Sequence, residues 1–344
     1  MKIVFTIQHP AHVHFFKYAI KELRDTHEIK VFVRDKEIIT DLLDAYDINH
    51  TVLSTAGKSS FGMFSTQLKY EYKIWEHTKE SPPDLFCAIG GTAASHVSKL
   101  LDSKSIVFTD TEHARLQNNI TFPFADSICT PDCYKDDLGS KQIRYPGYHE
   151  LAYLHPNRFK PDSSVLDYID ANEDDKIVIL RLISWGAAHD VGHSGFRNIT
   201  DVVNQLESTG AKVVITAEGD IPDEVEHCQS TIPPHKMHDL MYYSYLFIGE
   251  SGTMVTESAI LGTPAIFVSS LNAGVWDELE NKYGLLNHFS KKNRQKESVK
   301  KAVSILENYG QDMWRKRQQS MLEDKIDVTN FILNLFKEIE KDIE

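Results

Sequence analysis

The sequence predicts an α/β protein made of two doubly wound domains, and three observations carry that prediction. Short β-branched or aromatic runs alternate with longer segments of helical period, which is how stacked βαβ units read in sequence. Several runs are apolar almost throughout, as strands of a parallel sheet covered on both faces must be. The pattern breaks at a polar stretch, residues 155–175, rich in Asp, Asn, Pro and Ser, and then restarts. With 344 residues the chain has room for two such domains, since domains run to roughly 100–200 residues each.

In the first half the strands read as Lys2–Ile7, Ile29–Val33, Thr51–Leu53, Leu85–Ile89, Ser105–Phe108 and Ser127–Cys129. Helical spacing lies between them: Phe15, Phe16, Ala19, Ile20 and Leu23 share one face, and Ala94–Leu101 repeats the pattern. Phe61, Phe64, Leu68, Tyr72 and Trp75 form another helical stripe with Lys58, Lys69 and Lys73 nearby. It is expected to pack on the first domain's core; the alternative is an amphipathic surface for a lipid-linked acceptor. In the second half the strands read as Ile177–Leu182, Lys212–Thr216, Tyr245–Gly249 and Pro264–Val268, followed by periodic helical segments at Val299–Leu306 and Val328–Ile339. The expected division is 1–158 and 159–344, with the last helices packing back on the first domain and the active site in the cleft between domains.

Composition narrows the function. There are 37 Lys+Arg against 50 Asp+Glu, a net charge of −13, which excludes nucleic-acid binding by bulk charge because that mode needs a basic face. Four cysteines are too few for a disulfide framework, and Cys129 and Cys133 have no second close Cys/His pair to complete a zinc site. The opening MKIVFTIQHP is apolar for too few residues to be a signal peptide, and no stretch reaches the ~18 apolar residues that span a bilayer. A cytoplasmic protein is expected, with peripheral membrane contact left open.

The strongest local signal is LFIGESGTMVTESAILGTPAIFV, starting at Leu246. A strand ends at Gly249, a turn holds Glu250, Ser251 and Gly252, and a helix begins near Thr253. Gly262 stops that helix and Pro264 opens the next strand. Small residues at 251–253 let backbone N–H groups approach a ligand, and a helix N-terminus favours negative charge, so a diphosphate suits the turn. Glu257 lies one helical turn past Thr253, where its carboxylate reaches ribose hydroxyls. Arg181 ends the first strand of the second half and offers a fork of donors to a diphosphate. In the following loop Trp185 offers an aromatic wall and Gly186 close backbone approach. His189 and His193 in that loop lack the companion residues of a metal site.

This segment resembles the second domain of the GT-B superfamily of nucleotide-sugar enzymes. That group includes the peptidoglycan N-acetylglucosaminyltransferase and the non-hydrolysing UDP-N-acetylglucosamine 2-epimerases. The resemblance implies two Rossmann-like domains, a turn at Ser251, Gly252 and Thr253 that holds the diphosphate, and ribose contact by Glu257. It also implies base contact by backbone near Pro233–Leu240. The rest of the chain is similar more loosely. His9-Pro10-Ala11-His12 precedes a helix where transferases of this type have a glycine-rich turn ending in His, and His12 matches that histidine. An imidazole titrates near neutral pH and can take a proton from an acceptor hydroxyl. Asp110-Thr111-Glu112-His113-Ala114-Arg115 is similar to an epimerase segment whose catalytic Glu matches Glu112. The epimerase Gly-Asp-Thr segment, however, stands here as Gly90-Gly91-Thr92, without the catalytic Asp.

The expectation is therefore a GT-B glycosyltransferase that moves a sugar from a nucleotide-diphosphate donor, UDP-linked, to a glycan or lipid-linked hydroxyl. No metal and no cofactor are expected. His12, Glu112 or Asp110 would supply the base; Arg181, Trp185, Gly186, Ser251, Gly252, Thr253 and Glu257 would hold the donor. The alternative is a UDP-N-acetylglucosamine 2-epimerase.

Overall fold

The computed structural model describes residues 1–35, 38–55, 60–183 and 196–343, with backbone alone at 55 and 60–64. The chain opens with β1 (Lys2–Ile7), α1 (Pro10–Leu23), β2 (Glu28–Asp35), α2 (Ile39–Ala45), β3 (Thr51–Thr55) and α3 (Ser60–Thr78). There follow β4 (Leu85–Ile89), α4 (Thr92–Leu100), β5 (Lys104–Phe108), α5 (Arg115–Thr121), β6 (Ser127–Pro131), β7 (Gln142–Tyr145) and α6 (Leu151–Leu154). The second series is β8 (Ile177–Leu182), α7 (Ile199–Glu207), β9 (Lys212–Ala217), α8 (Met237–Tyr243), β10 (Leu246–Gly249) and α9 (Gly252–Ile260). It continues through β11 (Ala265–Val268), α10 (Gly274–Asn281), β12 (Leu286–Phe289), α11 (Arg294–Asn308) and α12 (Gln311–Asp324), and α13 (Val328–Ile343) ends the chain. Met1–Arg158 together with Lys325–Glu344 form one compact unit, and Phe159–Asp324 the other.

The first unit is built on a seven-stranded sheet in the order β3-β2-β1-β4-β5-β6-β7, every pairing parallel. Its central strand β1 buries every residue from Ile3 to Ile7, which is why that stretch reads as a continuous apolar run rather than an alternating one. α1 starts where His9 caps it, Nδ1 accepting from the Ala11 N–H at 3.2 Å, with Pro10 in the first position, where a missing N–H costs nothing. Its buried face sets Phe15 against Phe108 and Phe16 against Phe5 at 5.0 and 5.1 Å between ring centroids. α13 packs against α1 and α6, and Arg158 ties the same helices through ion pairs to Glu22 and to Asp327, the latter at 2.8 Å.

The second unit has a five-stranded parallel sheet in the order β12-β11-β10-β8-β9. With the first sheet it gives two Rossmann-like units, the architecture of the GT-B class. Among the described residues no helix is long and apolar enough to cross a membrane.

Two local features differ from the sequence reading. β7 and β12 are edge strands of four residues with polar positions, too short and mixed to stand out by pattern. In α3 the buried face carries Tyr70 and Ile74, with the Tyr70 hydroxyl donating to the Phe32 carbonyl at 3.0 Å. Leu68 and Tyr72 of the expected core stripe are instead 50% and 57% exposed, and Trp75 is half-buried. The helix has apolar residues on two faces, so spacing alone could not choose between them. The side chains of Phe61 and Phe64, like all of Lys58, lie outside the described residues.

Phe336 of α13 is fully buried, with its ring 6.1 Å from that of Phe5. Phe336→Ala is expected to lower the stability of the first unit by about 3–5 kcal/mol, the cost of an aromatic-sized core cavity, read as an earlier urea transition.

Candidate active site

Each sheet has one point where the strand order reverses. Such a switch point leaves a crevice at the carboxyl ends of the strands, where open α/β sheets hold ligands. In the first unit it falls between β1 and β4, and in the second between β8 and β10.

At the first switch point β1 leads into α1, whose first turn carries His12, and β4 leads into α4 through Gly90 and Gly91. Both glycines have positive φ, +68° and +51°, and a Cβ on Gly91 would sit 2.8 Å from Val107 Cγ2. The backbone there is thus committed to glycine. The neighbouring strand β5 ends in the turn that carries Asp110. Its Oδ1 accepts from the Thr111 hydroxyl at 2.8 Å, and its Oδ2 lies 3.2 Å from Nδ1 of His149. His149 is buried, its ring packed on Phe15 at 4.8 Å. Glu112, two residues on, accepts from the Lys135 N–H at 3.2 Å.

The electrostatics favour neutral imidazoles. Burial holds His12 well below the usual histidine range, and the nearby His9 and His149 press it further down. Burial also lowers His149, while Asp110 opposes that shift. The hydroxyls of Tyr145 and Tyr134 are pushed up, first by burial and then by surrounding acids that include Asp110.

At the second switch point Arg181 pairs across the sheet with Gly249, where a Cβ would lie 2.6 Å from Arg181 Cβ. The Glu250 carboxylate is buried and accepts from two backbone groups, Ile183 N–H at 3.2 Å and Phe196 N–H at 2.9 Å. Ser251 caps α9 by accepting from Met254 N–H at 3.4 Å. Gly252 opens the helix against Trp276, whose Cζ2 would be 2.3 Å from an added Cβ. The Trp276 indole donates to Thr256 Oγ1 at 3.1 Å, and that hydroxyl donates to the Gly252 carbonyl at 2.8 Å. Ser251, Gly252 and Thr253 remain half-buried at the crevice. Glu257 is buried, its Oε1 2.9 Å from Nε2 of His238, which is buried as well.

The sequence-predicted residues thus fall into two groups. His12 and Asp110 gather at the first switch point with Glu112 in the same turn as Asp110, while Arg181, Ser251, Gly252, Thr253 and Glu257 gather at the second. Trp185 and Gly186, with His189 and His193, lie outside the described residues. Arg181 is ion-paired: its Nη2 lies 2.7 Å from Glu218 Oε1. Sequence reasoning missed His149, which follows the unrecognised strand β7 and belongs to no motif of its own. It also missed His238 as the partner of Glu257 and Glu250 as a loop anchor.

The comparisons with known proteins agree with this fold. A staphylococcal structure described as the MnaA–UDP co-structure from S. aureus superposes with a TM-score of 0.71 at 13% identity, covering 98% of this chain and 96% of the other. The UDP-GlcNAc 2-epimerase of Neisseria meningitidis gives 0.67 at 13%, covering 99% and 100%. The glycosyltransferase SsfS6 of Streptomyces sp. SF2575 gives 0.60 at 13%, covering 96% and 99%. Fold and switch-point sites define a protein of the GT-B fold class. Within it, residues 1–338 match the family described as protein of unknown function DUF354, and the chain belongs to that family. The uncharacterised protein MJ0665 of Methanocaldococcus jannaschii is 24% identical over 269 residues, 74% of this chain and 78% of that protein.

Glu250→Ala would leave two backbone N–H groups without their charged acceptor. The expected loss is about 1.5–3 kcal/mol from the second unit, measured by urea unfolding; an unchanged midpoint would show that Glu250 anchors nothing.

Proposed function

We propose that the protein transfers a sugar from a nucleotide-diphosphate donor, UDP-linked, to a hydroxyl acceptor without a metal. The observation that carries this reading is the turn between β10 and α9. It sits at a switch point and opens a nine-residue helix, and its half-buried Ser251, Gly252 and Thr253 offer backbone N–H groups to a ligand. A diphosphate gains there from the helix dipole and from oriented donors. Such preorganised groups also stabilise the diphosphate as it departs with its negative charge. Glu257, one turn into the helix and steadied by His238, is the proposed ribose contact. Arg181 adds positive charge at the same strand ends, reduced by its pairing with Glu218.

In the first unit we assign the acceptor's proton to His12. Its ring is neutral at physiological pH, which is the form a base must have. Asp110 accepts at both oxygens and is better placed to orient a neighbour than to act as the base itself; Glu112 is the reserve carboxylate. The acceptor is a glycan or lipid-linked hydroxyl. For the latter, α3 offers half-exposed Leu68 and Tyr72 beside Lys69 and Lys73, a face suited to a peripheral membrane contact.

The higher TM-score of the epimerase from N. meningitidis favours a second reading, a UDP-N-acetylglucosamine 2-epimerase. The position of an epimerase Asp is here Gly91, with positive φ and Val107 2.8 Å from any Cβ, so this backbone has no place for that acid. Incubation with UDP-N-acetylglucosamine alone separates the readings: 2-epimer with solvent deuterium at C2 would overturn transfer.

Glu257→Ala is expected to weaken UDP binding by roughly 1–3 kcal/mol, the loss of charged hydrogen bonds, with calorimetry as the check. His12→Ala is expected to abolish transfer while donor affinity is kept, and normal turnover would remove His12 as base.

A further inference from the structure

In the second unit Glu207, the last residue of α7, faces His227 and Cys228, the last two residues of a 3-10 helix, Asp223–Cys228. Cys228 Sγ lies 3.7 Å from Glu207 Oε1, and His227 Nε2 lies 3.9 Å from the same oxygen. The three ligand atoms, one sulfur, one nitrogen and one oxygen, are all within 4.8 Å of one another. The fold sets this arrangement. α7 leads into β9, and the chain leaving β9 returns beside it, where Gln229 bridges Ile215 and the Ser230 N–H donates to the Ile215 carbonyl at 2.8 Å.

These spacings suit ligands around a shared centre better than groups bonded to one another. At 3.9 Å the imidazole is beyond hydrogen-bond reach of the carboxylate. A tetrahedral zinc ion, with bonds of roughly 2.3 Å to sulfur and 2.0–2.1 Å to nitrogen or oxygen, holds its ligands about 3.3–3.5 Å apart. The observed distances to Oε1 exceed that by a fraction of an ångström, and the His227 side chain, 65% exposed, has room to close the difference. We propose that Glu207, His227 and Cys228 bind one zinc-class dication, with water in the fourth position. On binding, the Cys228 S–H bond gives way to a metal–sulfur bond and the thiol proton leaves to solvent. The carboxylate and thiolate together then neutralise the two positive charges, and the imidazole binds as a neutral ligand. A sulfur and an imidazole select such an ion over magnesium or calcium, which take oxygen ligands. Cys228 is buried at the floor of the cluster, while Glu207 and His227 form an open rim through which ion and water enter. The ion clips α7 to the segment that runs beside β9, the edge strand of its sheet. Neither β8, β10 nor α9 contributes a ligand, so the site is separate from the second switch point and supplies nothing to the transfer proposed above.

The test uses the full-length protein, kept reduced and stripped of metal with a chelator. Titration calorimetry with zinc chloride is expected to show one ion bound per chain. Cys228→Ser and Glu207→Gln should each weaken that binding by more than the roughly 10–100-fold that loss of an outer-shell partner costs. Cobalt(II) in place of zinc is expected to give a thiolate-to-metal charge-transfer band, absent in Cys228→Ser and kept in Cys133→Ser, whose cysteine is half-buried in the first unit. Zinc should also raise the melting temperature of the wild type and leave that of Glu207→Gln where it was, because only a folded site gains from the ion. A wild type that takes up zinc no better than Cys228→Ser would overturn the site, and so would a charge-transfer band that survives Cys228→Ser. If Cys228→Ser fails to fold, His227→Ala, at an exposed position, carries the test, and zinc affinity equal to that of the wild type would overturn the proposal.

Discussion

A parallel sheet covered on both faces has almost nowhere to put a charge. Burying an ionised group without a partner costs several kcal/mol, so β1 and β8 are apolar through their centres, with Ile177 to Leu180 buried without exception. Polar chemistry is thereby pushed to the strand ends, and at a switch point two connections part in opposite directions and leave a crevice. His12 and Gly90–Gly91 flank one such point; Arg181 and the Glu250–Ser251 turn flank the other. The site residues are where they are because the sheets leave them no other position.

Within that constraint the two units use the same device. Each sets a carboxylate beside a buried imidazole: Asp110 with His149, and Glu257 with His238. A carboxylate held this way keeps a fixed orientation, and its partner's proton is assigned to one nitrogen. In the second unit the pair involves α9, whose N-terminus favours negative charge; in the first it lies near the buried hydroxyls of Tyr134 and Tyr145. The overall charge of −13 works against an anionic ligand at long range. For the donor proposed above, attraction would have to be local, from the first turn of α9 and from the part of Arg181 not neutralised by Glu218.

Similarity of fold does not carry similarity of reaction here. Epimerases and transferases share this architecture with the chain at about 13% identity. At Gly91 the αL backbone and the approach of Val107, 2.8 Å from an added Cβ, leave a side chain no room.

The sequence by itself determined the two-sheet plan, because buried parallel strands need continuous apolar runs and those runs are local features. It also determined the β10–α9 turn, whose Ser-Gly start, buried Glu and Gly262 stop all lie within one short segment. What only the tertiary structure decided depends on partners distant in the chain. The burial of Tyr70 rather than Leu68 in α3 follows from the Phe32 carbonyl that Tyr70 meets. The pairing of Asp110 with His149 joins residues from either side of β6 and β7, and that of Glu257 with His238 joins two helices. A charge's role is set by the one group it touches, and sequence spacing carries no record of contacts made across a sheet.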